Sequence, residues 1–299
     1  MVGSGAPSAD PEDTLPTLDA PLRGMDDLLV LFHDAEKRRS RGRIGTAPAE
    51  HALAELRASC QRLVVVLSDA EMARTLDRFE PDRVLIEPKA KTSYLAGVRA
   101  GLLSEAKEVG HPRVPIIATG SHVLGPIRPV SQMLDQMDST GAGLFAPYWH
   151  ATEADPRTKN EGLPSHIPYL DFAIFGAALQ ATDEFREFWQ AFEGGDHWTD
   201  FRRGLGPFAH FLKSHGHDIL YPLELDELQT SDPRLYEVHS LVKKGCPCLP
   251  LEVFSLDPLL HDINAISLRP ALDFMRQGHP AAYQAAIDHA CQTIPMREF

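Results

Sequence analysis

Two sets of residues in this chain have the type and position to contact a bound ligand. His33 and Asp34 follow directly after a strongly apolar run, and Lys89 and Lys91 precede a predicted helix. In an open parallel sheet, ligands collect at the carboxyl ends of the strands, and helix N-termini attract phosphate oxygens. We therefore regard these four residues as candidate binding residues. The plainer alternatives, a turn capped by Asp34 and solvent-facing lysines, stay open.

Tyr148 and Trp149 follow another apolar run and are suited to contact a sugar. The C–H face of a sugar stacks on aromatic rings while its hydroxyls reach polar neighbours. Aromatic residues that follow a strand are more often part of the core, so core packing is the alternative.

The spacing of histidines and cysteines does not predict a metal site. His210, His215 and His217 fit no standard ligand spacing with a third partner. Cys246 and Cys248 flank one proline, with no second cysteine pair nearby. A chain of this length without a secretion signal is not expected to depend on disulfides, so we expect reduced thiols. The four cysteines are Cys60, Cys246, Cys248 and Cys291.

The elements that must position these residues alternate between apolar runs and helical patterns, which is typical of a layered, Rossmann-like α/β fold with a mostly parallel sheet. The predicted strands are Leu28–Phe32, Leu63–Leu67, Arg83–Ile86, Val114–Ala118 and Gly143–Ala146. The predicted helices between them are Pro48–Cys60, Asp69–Arg78, Tyr94–Lys107 and Val130–Met137. A continuous apolar strand such as Leu63–Leu67 suits a sheet that is covered on both faces.

The second half of the chain predicts an apolar run over Phe172–Leu179 and helices over Asp183–Phe192 and Thr199–Ser214, the latter interrupted or started late by Pro207. Residues 269–292 predict two helices. The expected organisation is a disordered segment over residues 1–25, one domain over 26–260, and a C-terminal helical extension over 261–299 that packs on it.

Composition excludes several classes of protein. The chain has 299 residues, 43% of them apolar, and a net charge of −13, which argues against a nucleic-acid-binding protein. No segment is long and apolar enough to cross a bilayer, so we expect a cytoplasmic protein. The one basic stretch, Lys37–Arg43, is either a solvated loop or a contact for a diphosphate or an anionic lipid.

The segment Leu241–Pro258 carries a resemblance to a known family. It reads Leu-Val-Lys-Lys-Gly-Cys-Pro-Cys-Leu-Pro-Leu-Glu-Val-Phe-Ser-Leu-Asp-Pro. It is similar to the closing signature of the rhamnan synthesis protein F family, in which a Lys-Lys-Gly turn precedes an aromatic-Pro-aromatic pair and a short helix. Cys246 and Cys248 stand at the aromatic positions of that pair, which suggests that they pack in the core.

Further segments match in the same order, so the resemblance covers about residues 28–258. They are Asp82–Leu102, Val114–Pro126, Gly141–His150, Ile167–Phe175 and Glu184–Trp189. The resemblance implies a GT-A-like fold that binds a nucleotide sugar near His33 and Asp34. It also places Tyr94, Gly120, Ser121 and His122 at the donor, together with Lys89 and Lys91.

The chain departs from the family at two acidic positions, where it has Ser93 and Ser121. In many GT-A enzymes, an acidic residue at the second position binds a divalent metal that neutralises the diphosphate. Ser121 cannot replace that acid, and His122 is a poor ligand for Mg²⁺. A cofactor such as Mg²⁺ or Mn²⁺ therefore stays open, although its usual ligand is missing. Either the protein is metal-independent or it has lost the transfer activity.

The acceptor side of the implied site contains Tyr148, Trp149 and Tyr169. The family's chemistry implies an inverting transfer, in which a carboxylate takes the proton of the acceptor hydroxyl. Asp171 is the best candidate for this catalytic base because it precedes an apolar strand in the acceptor half. Asp196, Asp200 and Asp218 are alternatives.

These observations predict a glycosyltransferase that moves a deoxyhexose such as rhamnose, with dTDP-rhamnose as the favoured donor. The acceptor would be a cell-surface polysaccharide, such as a lipopolysaccharide glycan, or a lipid-linked glycan. Peripheral association with the inner membrane or with a synthase complex would follow. Two alternatives remain: a degenerate family member that binds a glycan or nucleotide sugar without turning it over, and an enzyme that moves another sugar through a pocket altered by Lys91 and His122.

Overall fold

The structure of the protein is a computed structural model that describes residues 28–33, 46–109, 114–152, 163–196, 199–222, 232–255 and 268–293. The predicted disordered segment 1–25, the basic stretch Lys37–Arg43, the candidate Asp34 and the closing Asp257-Pro258 pair lie outside these residues.

Within the described residues, seven strands form one sheet in the order β10-β6-β9-β4-β1-β2-β3. Its strands are β1 (Leu29–His33), β2 (Arg62–Leu67), β3 (Arg83–Ile86), β4 (Ile116–Gly120), β6 (Leu144–Phe145), β9 (Phe172–Phe175) and β10 (Ile219–Leu220). All paired neighbours are parallel except β9, which is antiparallel to both β4 and β6. The predicted mostly parallel α/β sheet is therefore confirmed.

Two short antiparallel pairs accompany this sheet. They are β5 (Val123–Leu124) with β11 (Leu249–Pro250), and β7 (Trp149–Ala151) with β8 (His166–Pro168). The first pair joins the chain after β4 to the Lys-Lys-Gly segment, two regions that are far apart in sequence.

The described helices cover both faces of the sheet and extend to the C-terminal region. They are α1 (Ala47–Ser59), α2 (Tyr94–Val109), α3 (Val130–Thr140), α4 (Ala177–Gln180), α5 (Asp183–Ala191), α6 (Gly206–Ser214), α7 (Pro233–Tyr236), α8 (Val238–Lys243), α9 (Leu268–Gly278) and α10 (Pro280–Thr293). The predicted helices over 48–60, 94–107, 130–137 and 183–192 are confirmed with small shifts at their ends.

The segment predicted as an α-helix over Asp69–Arg78 is instead a 3₁₀ helix over Ala70–Phe79. At its start, the Asp69 side chain accepts a hydrogen bond from the Glu71 amide. At its end, the backbone of Glu80 is in the left-handed region, with a φ of 45°. A 3₁₀ helix rises about 2.0 Å per residue against 1.5 Å for an α-helix. The tighter helix therefore carries the chain further along the sheet between β2 and β3.

The predicted helix Thr199–Ser214 divides into two parts. Asp200–Leu205 form a wide π-helical turn, and α6 begins at Gly206 with Pro207 in its first turn. The two parts follow each other without a break, since the Gly206 amide donates to the Phe201 carbonyl. Pro207 therefore lies where the helix changes from the π to the α form, and it neither interrupts the helix nor delays its start.

The main core contains buried residues of β1, β2, β4, β6 and β9, and Leu85 of the edge strand β3 packs against it. Strand β2 is fully buried over residues 63–67, as its uninterrupted apolar run predicted. Helix α2 lies against β1 where a side-chain Cβ at Gly97 would come within 3.0 Å of the His33 Cβ. The absence of a side chain at Gly97 thus brings the N-terminal part of α2 close to the end of β1.

A second apolar cluster lies beside the first and contains residues of α9 and α10. The members from these helices are Ala271, Met275, Ala282, Ala285 and Ala286, which are packed with Leu124, Val242 and Leu251. The domain boundaries predicted at 25/26 and 260/261 stay predictions.

Candidate functional site

Three of the residues predicted to contact the donor meet at the carboxyl ends of neighbouring strands. His33 ends β1, and His122 follows β4, which pairs with β1 in parallel. The His33 and His122 ring centroids are 5.2 Å apart. The Tyr94 ring, at the start of α2, lies 6.1 Å from His33 and 5.8 Å from His122. All three side chains are buried.

Gly120 makes this close arrangement possible. A Cβ at position 120 would lie 2.7 Å from both the Nε2 and the backbone oxygen of His33. The next residue, Ser121, is fully buried and donates its amide to the His33 carbonyl at 3.0 Å. Residues 120–122 therefore hold the His33 ring against the strand end instead of leaving it free to rotate.

Asp171 is held by two basic groups at the same place. Its side chain is fully buried. The Oδ1 atom lies 3.1 Å from His122 Nε2, and the Oδ2 atom accepts a hydrogen bond from Arg234 Nη1 at 3.0 Å. The residue that we expected to act as the base thus lies beside the donor residues. A His ring oriented by a carboxylate is the arrangement that supports proton transfer at the ring in many hydrolases.

Arg234 was not singled out in the sequence, yet it organises this cluster. It also binds Asp232 through Nε and Nη2, and its guanidinium carbon lies 3.4 Å from the centroid of the Tyr169 ring. Burial alone would lower the pKa of Arg234, but Asp232, Tyr169 and Asp171 together raise it well above its ordinary value. Arg234 therefore stays charged and neutralises the buried Asp171 and the partly buried Asp232.

Asp200 supplies a carboxylate next to Ser93, where the resembled family carries an acid. Ser93 Oγ donates to Asp200 Oδ1 at 2.7 Å and lies 2.9 Å from Oδ2, and the Leu95 amide donates to Oδ2 at 3.3 Å. Both side chains are fully buried. A carboxylate at the start of α2 is favourable because it faces the positive end of the helix dipole. The wide turn of Asp200–Leu205 brings it there.

Lys89 and Lys91 lie at the surface before α2. Both are exposed, and Lys89 Nζ donates to the Glu193 carbonyl at 3.2 Å. The described structure does not bring them into contact with His33 or His122. Their phosphate-binding role stays a prediction.

The aromatic residues of the predicted acceptor side are packed inside the protein. Tyr148, Trp149 and Tyr169 are at most 4% exposed. The rings of Trp149 and Tyr221 pack edge to face, with their centroids 5.3 Å apart. The Tyr148 hydroxyl lies 3.7 Å from Cys248 Sγ. Burial raises the pKa of Tyr148 and of Tyr169 above the ordinary range, so both hydroxyls stay protonated. Their role as sugar platforms stays a prediction.

The side chains at this edge of the sheet do not form a set of ligands that suits a divalent metal. Mg²⁺ prefers several oxygen ligands, whereas Asp171 is bound by Arg234 and His122, and Asp200 is bound by Ser93. No group of three His, Cys, Asp or Glu side chains suited to hold a metal occurs among the described residues. All four cysteines are free thiols, and Cys246 and Cys248 are buried in the core, as the resemblance suggested.

None of the helices in the described part of the chain has the length and apolar content that crossing a bilayer needs.

Comparisons with known proteins assign no family. No family model matches the chain, and no curated protein matches it. Among solved structures, CMP:2-keto-3-deoxy-manno-octonic acid synthetase complexed with CTP is similar with a TM-score of 0.39 and 12% identity, covering 65% of this chain and 88% of that chain.

Two further structures are similar at the same level. A putative glucose-1-phosphate thymidylyltransferase from Bacillus anthracis in complex with a sucrose has a TM-score of 0.42 and 9% identity, covering 65% of this chain and 85% of that one. A nucleoside-diphosphate-sugar pyrophosphorylase from Vibrio cholerae RC9 has a TM-score of 0.39 and 11% identity, covering 65% and 90%. These low values assign no activity to this chain.

Proposed function

We propose that this protein is a nucleotide-sugar-dependent glycosyltransferase whose acid–base unit is the Asp171–His122 pair. One observation carries the proposal: a histidine that follows a parallel strand lies 3.1 Å from a buried carboxylate at the carboxyl edge of the sheet. This edge is where open α/β sheets bind their ligands. The resemblance to the rhamnan synthesis protein F family agrees with that placement.

The proposal divides the catalytic roles between the two residues. Asp171 already has both oxygens engaged, so it acts as the positioning residue that orients His122 and stabilises its protonated form. With Nε2 facing Asp171, His122 Nδ1 then takes the proton of the acceptor hydroxyl. The acceptor oxygen forms its bond to the anomeric carbon as the bond from that carbon to the leaving nucleoside diphosphate breaks. His33 and Tyr94 hold the His122 ring on its other sides.

The donor proposed from the resemblance is dTDP-rhamnose, and the acceptor is a polysaccharide or a lipid-linked glycan. Lys89 and Lys91, beside the start of α2, are proposed to attract the diphosphate. Peripheral association with a membrane or with a synthase complex follows from a lipid-linked acceptor and belongs to the same proposal.

A second candidate is a protein that binds a nucleotide sugar without turning it over. Two observations favour it. Asp171 is bound on both oxygens, and serines stand at positions 93 and 121, where the resembled family has acids. Such a protein would bind its ligand at the same edge of the sheet but would not catalyse the transfer.

Ligand-observed NMR distinguishes the two. The purified protein is mixed with dTDP-rhamnose and with UDP-, GDP- and CMP-sugars, with and without Mg²⁺ or Mn²⁺, and both binding and release of nucleoside diphosphate are followed. The transferase predicts binding and slow donor hydrolysis, and His122→Gln should keep the binding but lose at least about a hundredfold of the hydrolysis rate. His210→Gln, at an exposed position on α6, is the matched control.

Each outcome has a definite meaning. Binding without hydrolysis in the wild-type protein supports the non-catalytic binder. Hydrolysis that is equally fast in His122→Gln would remove His122 from the mechanism. A protein that binds none of the nucleotide sugars would overturn both candidates.

A further inference from the structure

A small basic cavity lies away from the buried His122–Asp171 pair. Its volume is about 150 Å³, and its walls include Arg128, Gln132, Gln136, Lys243 and Lys244. One water needs only about 10–15 Å³ of such a cavity, so there is room for a phosphate group and part of its hydration. Among the described residues that line it there is no carboxylate. In a chain with a net charge of −13, such a wall of one sign is unusual.

Arg128 is the anchored cation of this cavity. Its Nη2 donates to the Val242 carbonyl at 2.9 Å, and its guanidinium lies 5.6 Å from the centroid of the Phe274 ring. The Nε atom is buried and has no hydrogen-bond partner among the described residues. Burial also lowers the pKa of Arg128. An anion in the cavity would offset this unfavourable burial of charge and would offer acceptor oxygens to the guanidinium.

Lys243 and Lys244 provide two exposed cations where α8 ends. The chain turns there through Gly245, whose φ of 101° is left-handed, so the turn brings the end of α8 next to Arg128. Opposite them, α3 begins after Pro129, and no side chain caps its first turn. Gln132 and Gln136 on α3 add neutral amide donors. Long cations combined with amide donors are suited to the several oxygens of a phosphate.

The cavity is connected to the edge of the sheet by the antiparallel pair β5–β11. Leu249 pairs with Leu124, and the Ile127 amide donates to the Pro247 carbonyl at 2.6 Å. On the other side of that pair, the Leu251 amide donates to the His122 carbonyl at 2.9 Å. The two paired segments therefore have His122 at one end and the basic residues at the other. The basic cavity is thus a separate site and not an extension of the His122–Asp171 site.

We propose that Arg128, Lys243 and Lys244 form a binding site for the phosphate or diphosphate group of a second ligand. The ligand is either a soluble phosphate ester or the phosphorylated headgroup of a lipid, which present the same oxygens to these cations. The site does not depend on the function proposed for His122 and Asp171.

The first experiment titrates the full-length protein with inorganic pyrophosphate at constant ionic strength. Binding is followed by calorimetry and by the ¹H–¹⁵Nε resonance of Arg128, assigned through Arg128→Lys. Saturable binding that shifts this resonance is expected, and Lys243→Gln/Lys244→Gln should weaken it at least about tenfold because two charge-assisted contacts are lost. Both lysines are exposed, so the double variant is expected to fold normally. Lys213→Gln/Lys107→Gln removes two exposed lysines elsewhere and should bind like wild type.

Absence of saturable binding, or equal binding by the two double variants, would overturn the proposal. A second measurement identifies the source of the phosphate. Co-sedimentation with phosphatidylglycerol vesicles that pyrophosphate competes away, and that the Lys243/Lys244 variant loses, supports a lipid headgroup. Binding of pyrophosphate without any vesicle binding supports a soluble phosphate ester. His122→Gln should leave all of these results unchanged, which separates this site from the donor site.

Discussion

At the scale of single residues, Arg234 is the group on which the buried cluster depends. It binds Asp171 and Asp232 through separate nitrogen atoms. If Arg234 is removed, the fully buried Asp171 and the partly buried Asp232 lose the cation that neutralises them, and such changes usually cost more than the intact pair contributes.

We therefore expect Arg234→Ala to lower the free energy of unfolding by about 3–5 kcal/mol. Urea unfolding followed by circular dichroism measures this. Arg186→Ala is the matched control, because Arg186 pairs with Asp183 on the exposed face of α5 and such pairs contribute about 0–1 kcal/mol. Equal losses in the two variants would show that Arg234 is not the central cation of the cluster.

Gly120 provides a second residue-scale test. Gly120→Ala places a methyl group 2.7 Å from His33 Nε2 and from the His33 backbone oxygen. The strand or the ring must shift, so we expect a loss of stability of about 1–3 kcal/mol, measured as a change in the urea midpoint.

Gly278→Ala is the control for that change. Gly278 is the last residue of α9, and a Cβ there meets no atom within 4 Å. Alanine is favoured over glycine in helices by about 0.5–1 kcal/mol, so Gly278→Ala should be neutral or stabilising. A harmless Gly120→Ala would mean that the His33 ring has more freedom than its packing indicates.

Part of the site could be predicted from the sequence because it follows from local pattern. His33 and His122 come after apolar strands, and strands of one parallel sheet end at the same edge, so their proximity follows from the fold. Arg234 could not be found in this way, and Asp200 was named only as an alternative base and not as the partner of Ser93. Arg234 lies 63 residues from Asp171, and Asp200 lies 107 residues from Ser93. Such pairings arise from tertiary packing, and no short-range signal records them.

At the scale of elements, the helices around α10 contain histidines that favour the neutral form. Burial lowers the pKa of His51 in α1, of His279 between α9 and α10, and of His289 in α10. Helices α1 and α9 both pack on α10, so the elements that carry these histidines form one layer. Protonation of any of them places a charge in that layer.

Stability should therefore depend on pH in a definite direction. Below the ordinary histidine pKa of 6.5, the unfolded chain binds protons that the folded chain does not. The free energy of unfolding therefore keeps the full contribution of these histidines above that pH and decreases as the pH drops below it. Urea unfolding at pH 7.5, 6.5 and 5.5 should show this loss, and His289→Gln should show a smaller one.

The exposed His210 provides the comparison. The His210→Gln variant makes the same substitution at a side chain that faces solvent. If His289→Gln and His210→Gln have the same slope, His289 does not contribute to the pH dependence of the layer.

The elements themselves were more predictable than their exact form. The uninterrupted apolar run of β2 predicted a strand that is covered on both faces. The spaced apolar residues of α5 predicted a helix that is buried along one face. The antiparallel direction of β9 could not be predicted, since an apolar strand has the same composition in either direction. The 3₁₀ form of Ala70–Phe79 also depends on the distance that the connection must span.

At the scale of the whole molecule, the C-terminal helices contribute to an apolar cluster that they share with residues from the rest of the chain. Ala286 of α10 is fully buried in the cluster that contains Leu124 and Leu251. We expect Ala286→Asp to destabilise the entire protein by several kcal/mol, because it buries an unpaired carboxylate.

Ala281→Asp is the matched control for this prediction. Ala281 is exposed in the first turn of the same helix, where a carboxylate is slightly favourable to the helix dipole. Differential scanning calorimetry should show one cooperative transition, lowered only in Ala286→Asp. A separate low-temperature transition would indicate instead that α9 and α10 unfold on their own.

The position of β9 has a consequence for how the chain is made. β6 is synthesised before β9, yet in the described sheet β6 is joined to β4 only through β9. On the ribosome, β1 to β4 can pair as soon as residues 29–120 have emerged, and the far side of β4 then waits for residues 172–175. An unpaired strand edge is a template for association with another chain. Nascent chains that stop before Phe172 should therefore self-associate or recruit chaperones, and those that include Phe175 should be released from them.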